Sequence, residues 1–207
     1  MYVLELFVFI LINLLGAMSP GPDFAIVAKY AFTGSRRSAY SASGGIASAL
    51  VVHVFYCLVG VAVFLKGSPH LFRTIQVLGA IYLGYLGLRL ILEKKKADGP
   101  VAKPRGRNAF LTGFLTNLLN PKATLFLLSL FTQFIDEKTP LWQRAAFGIS
   151  VPLTAFFWFI FLSYLLTHAA VLPRIKRFQR KFSMAMGLLL FGLSLYVLLE
   201  PFMPRGH

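Results

Sequence analysis

Two charged residues stand inside long apolar stretches of this 207-residue chain, and each follows a proline-marked interruption. Asp23 closes the run Ser19-Pro20-Gly21-Pro22-Asp23 in the first apolar stretch, and Lys122 closes Asn120-Pro121-Lys122 in the fourth. A charge at the centre of a bilayer costs at least about 2.5–3.5 kcal/mol on insertion scales, so such a residue is read as functional first. Lys122 lies too deep in its stretch to snorkel easily to the interface. An acid and a base placed together suit a zwitterion. Lys122 and the open N–H groups of a half-helix would hold a carboxylate. Asp23 would accept an ammonium or a coupling proton, since burial favours the uncharged carboxyl. Ser19 and Asn120 add neutral hydrogen-bonding groups. The plainer alternative is a purely structural Asp23–Lys122 pair.

The prolines explain why these charges would meet. Pro20 and Pro22 each remove a backbone donor and clash with a carbonyl one turn earlier, and Gly21 permits a conformation that other residues resist. Backbone groups freed in hydrocarbon each cost several kcal/mol, so a break must face protein or a wet cavity. Pro20 and Pro121 lie 101 residues apart, each after a small polar residue. Paired interruptions of this kind point to a transporter site between two inverted repeats. Two unrelated proline kinks are the alternative.

Composition says what must carry these breaks. Hydrophobic residues make up 57% of the chain and charged residues 14%, against roughly 25% charged in soluble domains. The excess apolar surface has to face lipid. Six stretches are long enough to be helical spans of about 20 residues: Leu4 to Phe32 with its break, Tyr40 to Leu65, Leu71 to Leu92, Ala109 to Phe134 with its break, Ala145 to Thr167, and Phe182 to Leu199. No ten-residue period-2 alternation suggests a β-barrel. The first stretch reads as a retained helix rather than a signal peptide, because Glu5 stands where a positive region belongs.

The net charge of +14 does not indicate nucleic acid, because the basic residues cluster between apolar runs instead of covering one face. Assigned to loops, fourteen fall after the first, third and fifth stretches, from Lys29 to Lys181, against five on the other side: Lys66, Arg73, Lys138, Arg144 and Arg205. That bias places loops one, three and five in the cytoplasm and both termini outside. Residues 93–108, with Lys94-Lys95-Lys96, Gly99-Pro100 and Pro104, read as a basic cytoplasmic linker. It separates residues 1–92 from 109–207, three spans each, which would insert in opposite directions.

At the two breaks the chain resembles the lysine/threonine/homoserine exporter family, often called LysE or RhtB. Ser19-Pro20-Gly21-Pro22-Asp23-Phe24 is similar to its first-helix motif, Asn120-Pro121-Lys122-Ala123 to its fourth, and Gly79-Ala80-Ile81-Tyr82-Leu83 with Leu86-Gly87 to its third. Ser35, Ala39 and Ala49 stand where that family often has glycine. The resemblance implies an all-α membrane protein of six helices in two inverted halves. It also implies export of amino acids or their derivatives (homoserine-lactone-, threonine- or leucine-like, or basic) across the bacterial inner membrane, driven by the proton gradient. Ser19, Pro20, Gly21, Pro22, Asp23, Asn120, Pro121 and Lys122 are the expected substrate- and proton-binding residues, with no cofactor.

Remaining features read more plainly. Gly44/Ser48, Gly45/Ala49 and Ala80/Gly84 are small residues at helical spacing, expected at close helix contacts that leave room for a homo-oligomer. Trp142 suits the interface, Pro152 a kink, and Trp158 either lipid or a cavity. His53 reads as a buried, hydrogen-bonded histidine, with a proton relay as the alternative. Cys57 has no thiol partner, which disfavours a redox relay. A metal-ion or other small-solute exporter, a passive channel and a membrane-embedded enzyme remain as alternatives; no His-Glu-x-x-His or phosphate-binding loop favours the last.

Overall fold

The computed structural model describes residues 2–19, 21–33, 35–67, 69–92, 108–167 and 172–199, all built on α-helices, with no strand among them. The helices are α1 (Tyr2–Met18), α2 (Pro22–Thr33), α3 (Arg36–Gly67), α4 (Pro69–Leu92), α5 (Ala109–Leu118), α6 (Pro121–Phe134), α7 (Leu141–Leu166) and α8 (Leu172–Leu199). Pro20 and most of the expected linker, residues 93–107, lie outside the described residues.

Three segments are long and apolar enough to cross a membrane: Arg36–Val61, Arg73–Leu92 and Leu141–Leu166. At 1.5 Å per residue the 26-residue segments exceed the ~30 Å hydrocarbon core. Two further pairs, α1 with α2 and α5 with α6, are each bent by 58° at a short break, as broken spans would be. The chain is therefore a multi-pass membrane protein. Its outward faces agree with that, because exposed apolar side chains recur at helical spacing: Val51, Val52, Phe55 and Val59 on α3, and Ile149, Leu153, Phe157 and Phe161 on α7.

Several helices run past the apolar runs that announce them. Arg36 and Arg37 open α3, and Arg144 lies within α7. The basic segment expected as the fifth loop, Arg174 to Lys181, is part of α8. Hydrophobicity ends at the bilayer edge, whereas backbone hydrogen bonding continues into the polar interface. Pro152 is accommodated inside α7 without ending it.

The helices close on one another through small residues and rings. A Cβ on Gly45 would lie 2.0 Å from the Phe110 carbonyl oxygen, and one on Gly113 2.2 Å from that of Ala42. Only glycine on both sides lets α3 and α5 approach so closely. Gly87 and Gly187 do the same for α4 and α8, each 2.6 Å from the other's carbonyl. Gly44 is not at a close contact; a Cβ there would meet Phe110 only at 3.8 Å. At the centre, Phe9 packs 4.6 Å from Phe147 and 5.6 Å from Phe131, ring centre to ring centre. Cys57 is buried in the same core. Trp142 is exposed against Tyr2, while the Trp158 side chain is half-buried with its indole nitrogen enclosed.

The packing is crossed between the two ends of the chain. α3 lies against α5 and α6, α7 lies against α1 and α2, and α3–α7 and α4–α8 pack directly.

Candidate functional site

Each break restarts with proline at the first helical position, Pro22 in α2 and Pro121 in α6. There the missing N–H costs nothing, because a helix leaves its first donors open anyway. Asn120 caps α6: its Oδ1 accepts from the Lys122 backbone N–H at 3.1 Å. Ala123 N–H donates to the Asn120 carbonyl at 3.1 Å, and Asn120 N–H donates back to Asn117 at 2.9 Å. At the first break Ser19 N–H donates to Leu15 at 3.1 Å, and Ala25 N–H donates to Gly21 at 2.9 Å. The two breaks thus keep these polar groups paired.

At Gly21 a Cβ would meet Lys122 Nζ at 3.6 Å and the Ser19 carbonyl at 3.9 Å, both ordinary contact distances.

Asp23 and Lys122 occupy the first turns of their helices. A carboxylate is favoured at a helix N-terminus and an ammonium is disfavoured there. Helix stability therefore accounts for Asp23 but not for Lys122. What Lys122 does is reach across: its Nζ donates to Ser19 Oγ at 2.8 Å. Asp23 reaches the other way, and its Oδ2 accepts from Asn117 Nδ2 at 3.0 Å. The Lys122 charge and Asn120 also face the Asp23 carboxylate. Asp23 Oδ1 and Asn117 Oδ1 are enclosed with no hydrogen-bond partner among the described residues.

These groups line one cavity of about 60 Å³. Ser19, Gly21, Pro22, Asp23, Asn117, Asn120 and Lys122 form its polar side, while Leu50, Leu86, Phe126 and Phe159 are among its apolar walls. Six of the eight residues singled out by sequence therefore meet. Pro121 is exposed and is not among the lining residues, and Pro20 is not described. Sequence reasoning missed Asn117 and Asn13. Both are buried amides in otherwise apolar helices, and Asn13 Nδ2 donates to the Val151 carbonyl at 3.3 Å. The signal was available: Asn117 is a polar residue inside an apolar stretch, three positions before the expected break at Asn120. It also missed Gly16, where a Cβ would lie 2.7 Å from the Phe126 ring that roofs the cavity.

The profile of the LysE type translocators matches residues 14–201. An uncharacterised membrane protein of Bacillus subtilis is 30% identical over 189 residues, covering 85% of this chain and 90% of that protein. The threonine efflux protein of Escherichia coli is 30% identical over 177 residues, covering 82% of this chain and 84% of its own. That of Salmonella typhi is 29% identical over the same length and coverage. No solved structure matches.

Proposed function

We propose that this chain, which belongs to the LysE type translocator family, is a secondary transporter that exports a small threonine-like amino acid across the bacterial inner membrane. The observation that carries the reading is the crossed pairing at the cavity. The base from the second break bonds a hydroxyl from the first, and the acid from the first bonds an amide beside the second. A zwitterion offers each of these groups a better partner than the one it has. Its carboxylate replaces the Ser19 hydroxyl at Lys122, and its ammonium takes the enclosed Oδ1 of Asp23. Asn117 and Asn120 remain for a side-chain hydroxyl. The substrate class follows the name of the threonine efflux relatives.

In this reading α1/α2, α3, α4, α5/α6, α7 and α8 are six spans in two inverted halves, residues 1–92 and 109–207, joined by the linker 93–108. The equal bends and the seating of α3 on α5/α6 and of α7 on α1/α2 favour it. The apolar part of α8 within the described residues, Gly187–Leu199, is short for a span, so its first turns would lie in the interface. Both termini face outward, the basic loops face the cytoplasm, and the proton gradient drives export through Asp23.

The test is efflux. Cells expressing the chain and loaded with labelled L-threonine should release it faster than vector controls, and dissipating the proton gradient should slow the release. Equal release from expressing and control cells, for threonine and for a panel of other amino acids, contradicts the proposal.

A further inference from the structure

His53 is a titratable side chain that the transport reading does not use, yet it is fully enclosed and bonded to the second break. Its Nε2 lies 3.1 Å from the Asn117 carbonyl oxygen. Its Nδ1 meets the Tyr56 hydroxyl and, at 3.3 Å, Thr124 Oγ1. The ring thereby touches three elements: Tyr56 on its own helix α3, Asn117 on α5 and Thr124 on α6. It spans the break from one side to the other.

The Asn117 carbonyl decides one nitrogen of the ring. A carbonyl can only accept, so Nε2 carries the hydrogen. The hydroxyls at Nδ1 can donate or accept, and so satisfy that nitrogen in either protonation state. The Asn117 carbonyl is a lip of the break, where it also accepts from Asn120 N–H at 2.9 Å. The side chain of the same Asn117 donates to Asp23 at 3.0 Å. An amide nitrogen there offers a hydrogen bond and no basic site, so the chain from His53 to Asp23 is not a proton wire. It is a mechanical connection: the histidine holds the last turn of α5, and that turn aims the Asn117 amide at the carboxylate.

We infer that His53 is a positioning residue for Asp23, acting through the Asn117 carbonyl. This rests on Asp23 being the ammonium site. Without the Nε2–H bond, the end of α5 gains freedom, the amide leaves the carboxylate, and substrate binding weakens more than turnover.

The experiment is L-threonine counterflow in proteoliposomes, with membrane abundance measured for every variant. His53→Leu removes the donor, and loss of one buried hydrogen bond predicts a KM raised about tenfold or more. His53→Gln carries an amide N–H that reaches the same carbonyl, so its KM should stay within about threefold of the parent and its pH profile should be unchanged. A parental KM for His53→Leu overturns the inference. So does a His53→Gln variant as impaired as His53→Leu, or one with a displaced pH profile, because either makes the ring a titrating relay. If His53→Leu fails to reach the membrane, the double variant Tyr56→Phe/Thr124→Val takes its place. It keeps the Nε2–H bond to the Asn117 carbonyl, so KM should stay within about threefold of the parent, and a KM raised about tenfold contradicts the inference. Asp23→Asn run alongside separates the two levels. Parental transport by Asp23→Asn sinks the transport reading itself, whereas loss there with normal His53→Leu sinks only the role of His53.

Discussion

At the first break the helix stops at Met18 and resumes at Pro22, and at the second it stops at Leu118 and resumes at Pro121. Both turn the path by 58°, and both put a charged residue directly after the helix-starting proline. There the likeness ends. The second break is capped by a side chain, Asn120, bonded to the Lys122 backbone, and it presents a cation where the helix end disfavours one. The first presents an anion where the helix end favours it. One backbone device has been given opposite charges. The cavity between them therefore has an acid on one break and a base on the other.

The comparison can be broken most severely at its charges. Asp23→Asn or Lys122→Gln should each lower efflux more than about tenfold, the scale of a hydrogen bond to a charged group, while protein still reaches the membrane. Efflux per unit of membrane protein measures this. Next comes the backbone device. Pro121→Ala restores a donor and lets α5 and α6 straighten; insertion should be normal and efflux should fall about threefold or more. Normal efflux at normal abundance would make the bend incidental. A smaller effect is expected at the cap. Asn120→Ala should cost about 1 kcal/mol of local stability, read as greater proteolytic or thiol-labelling access at the second break, with partial efflux retained. The smallest is Gly21→Ala. A Cβ there would make only ordinary contacts, 3.6 Å to Lys122 Nζ, so abundance and efflux should stay within about twofold of the parent. Gly16→Ala, pushed into Phe126 at 2.7 Å, should be worse, and the reverse order would contradict the cavity geometry.

The proposed orientation in the membrane can be tested separately. In a Cys57→Ala background, an impermeant thiol reagent applied outside should label a cysteine at position 136 and spare one at position 95. The opposite pattern would invert the orientation.

The breaks were legible because proline and charge are punctuation that no apolar helix hides. Asp23, Lys122, Ser19 and Asn120 were therefore found, and so were the apolar helices. The partners were not. Asn117 meets Asp23 across 94 positions and His53 meets Asn117 across 64, and such pairings arise only when helices pack. The extent of α8 was missed because hydrophobicity marks the bilayer and not the helix. Gly45 was rightly read as a packing residue, but its mate Gly113 could be named only from the close approach of α3 and α5.

The central claim, that Asp23 and Lys122 bind cargo rather than merely each other, is tested most directly by the double variant Asp23→Asn/Lys122→Gln beside the two single variants. Membrane abundance and threonine efflux are measured for all three. If the two charges serve only as a structural pair, each single change strands a buried charge, and removing both can be close to neutral. The account predicts a double variant that is present in the membrane and inactive. Recovery of efflux in the double variant, from singles that lack it, would contradict it.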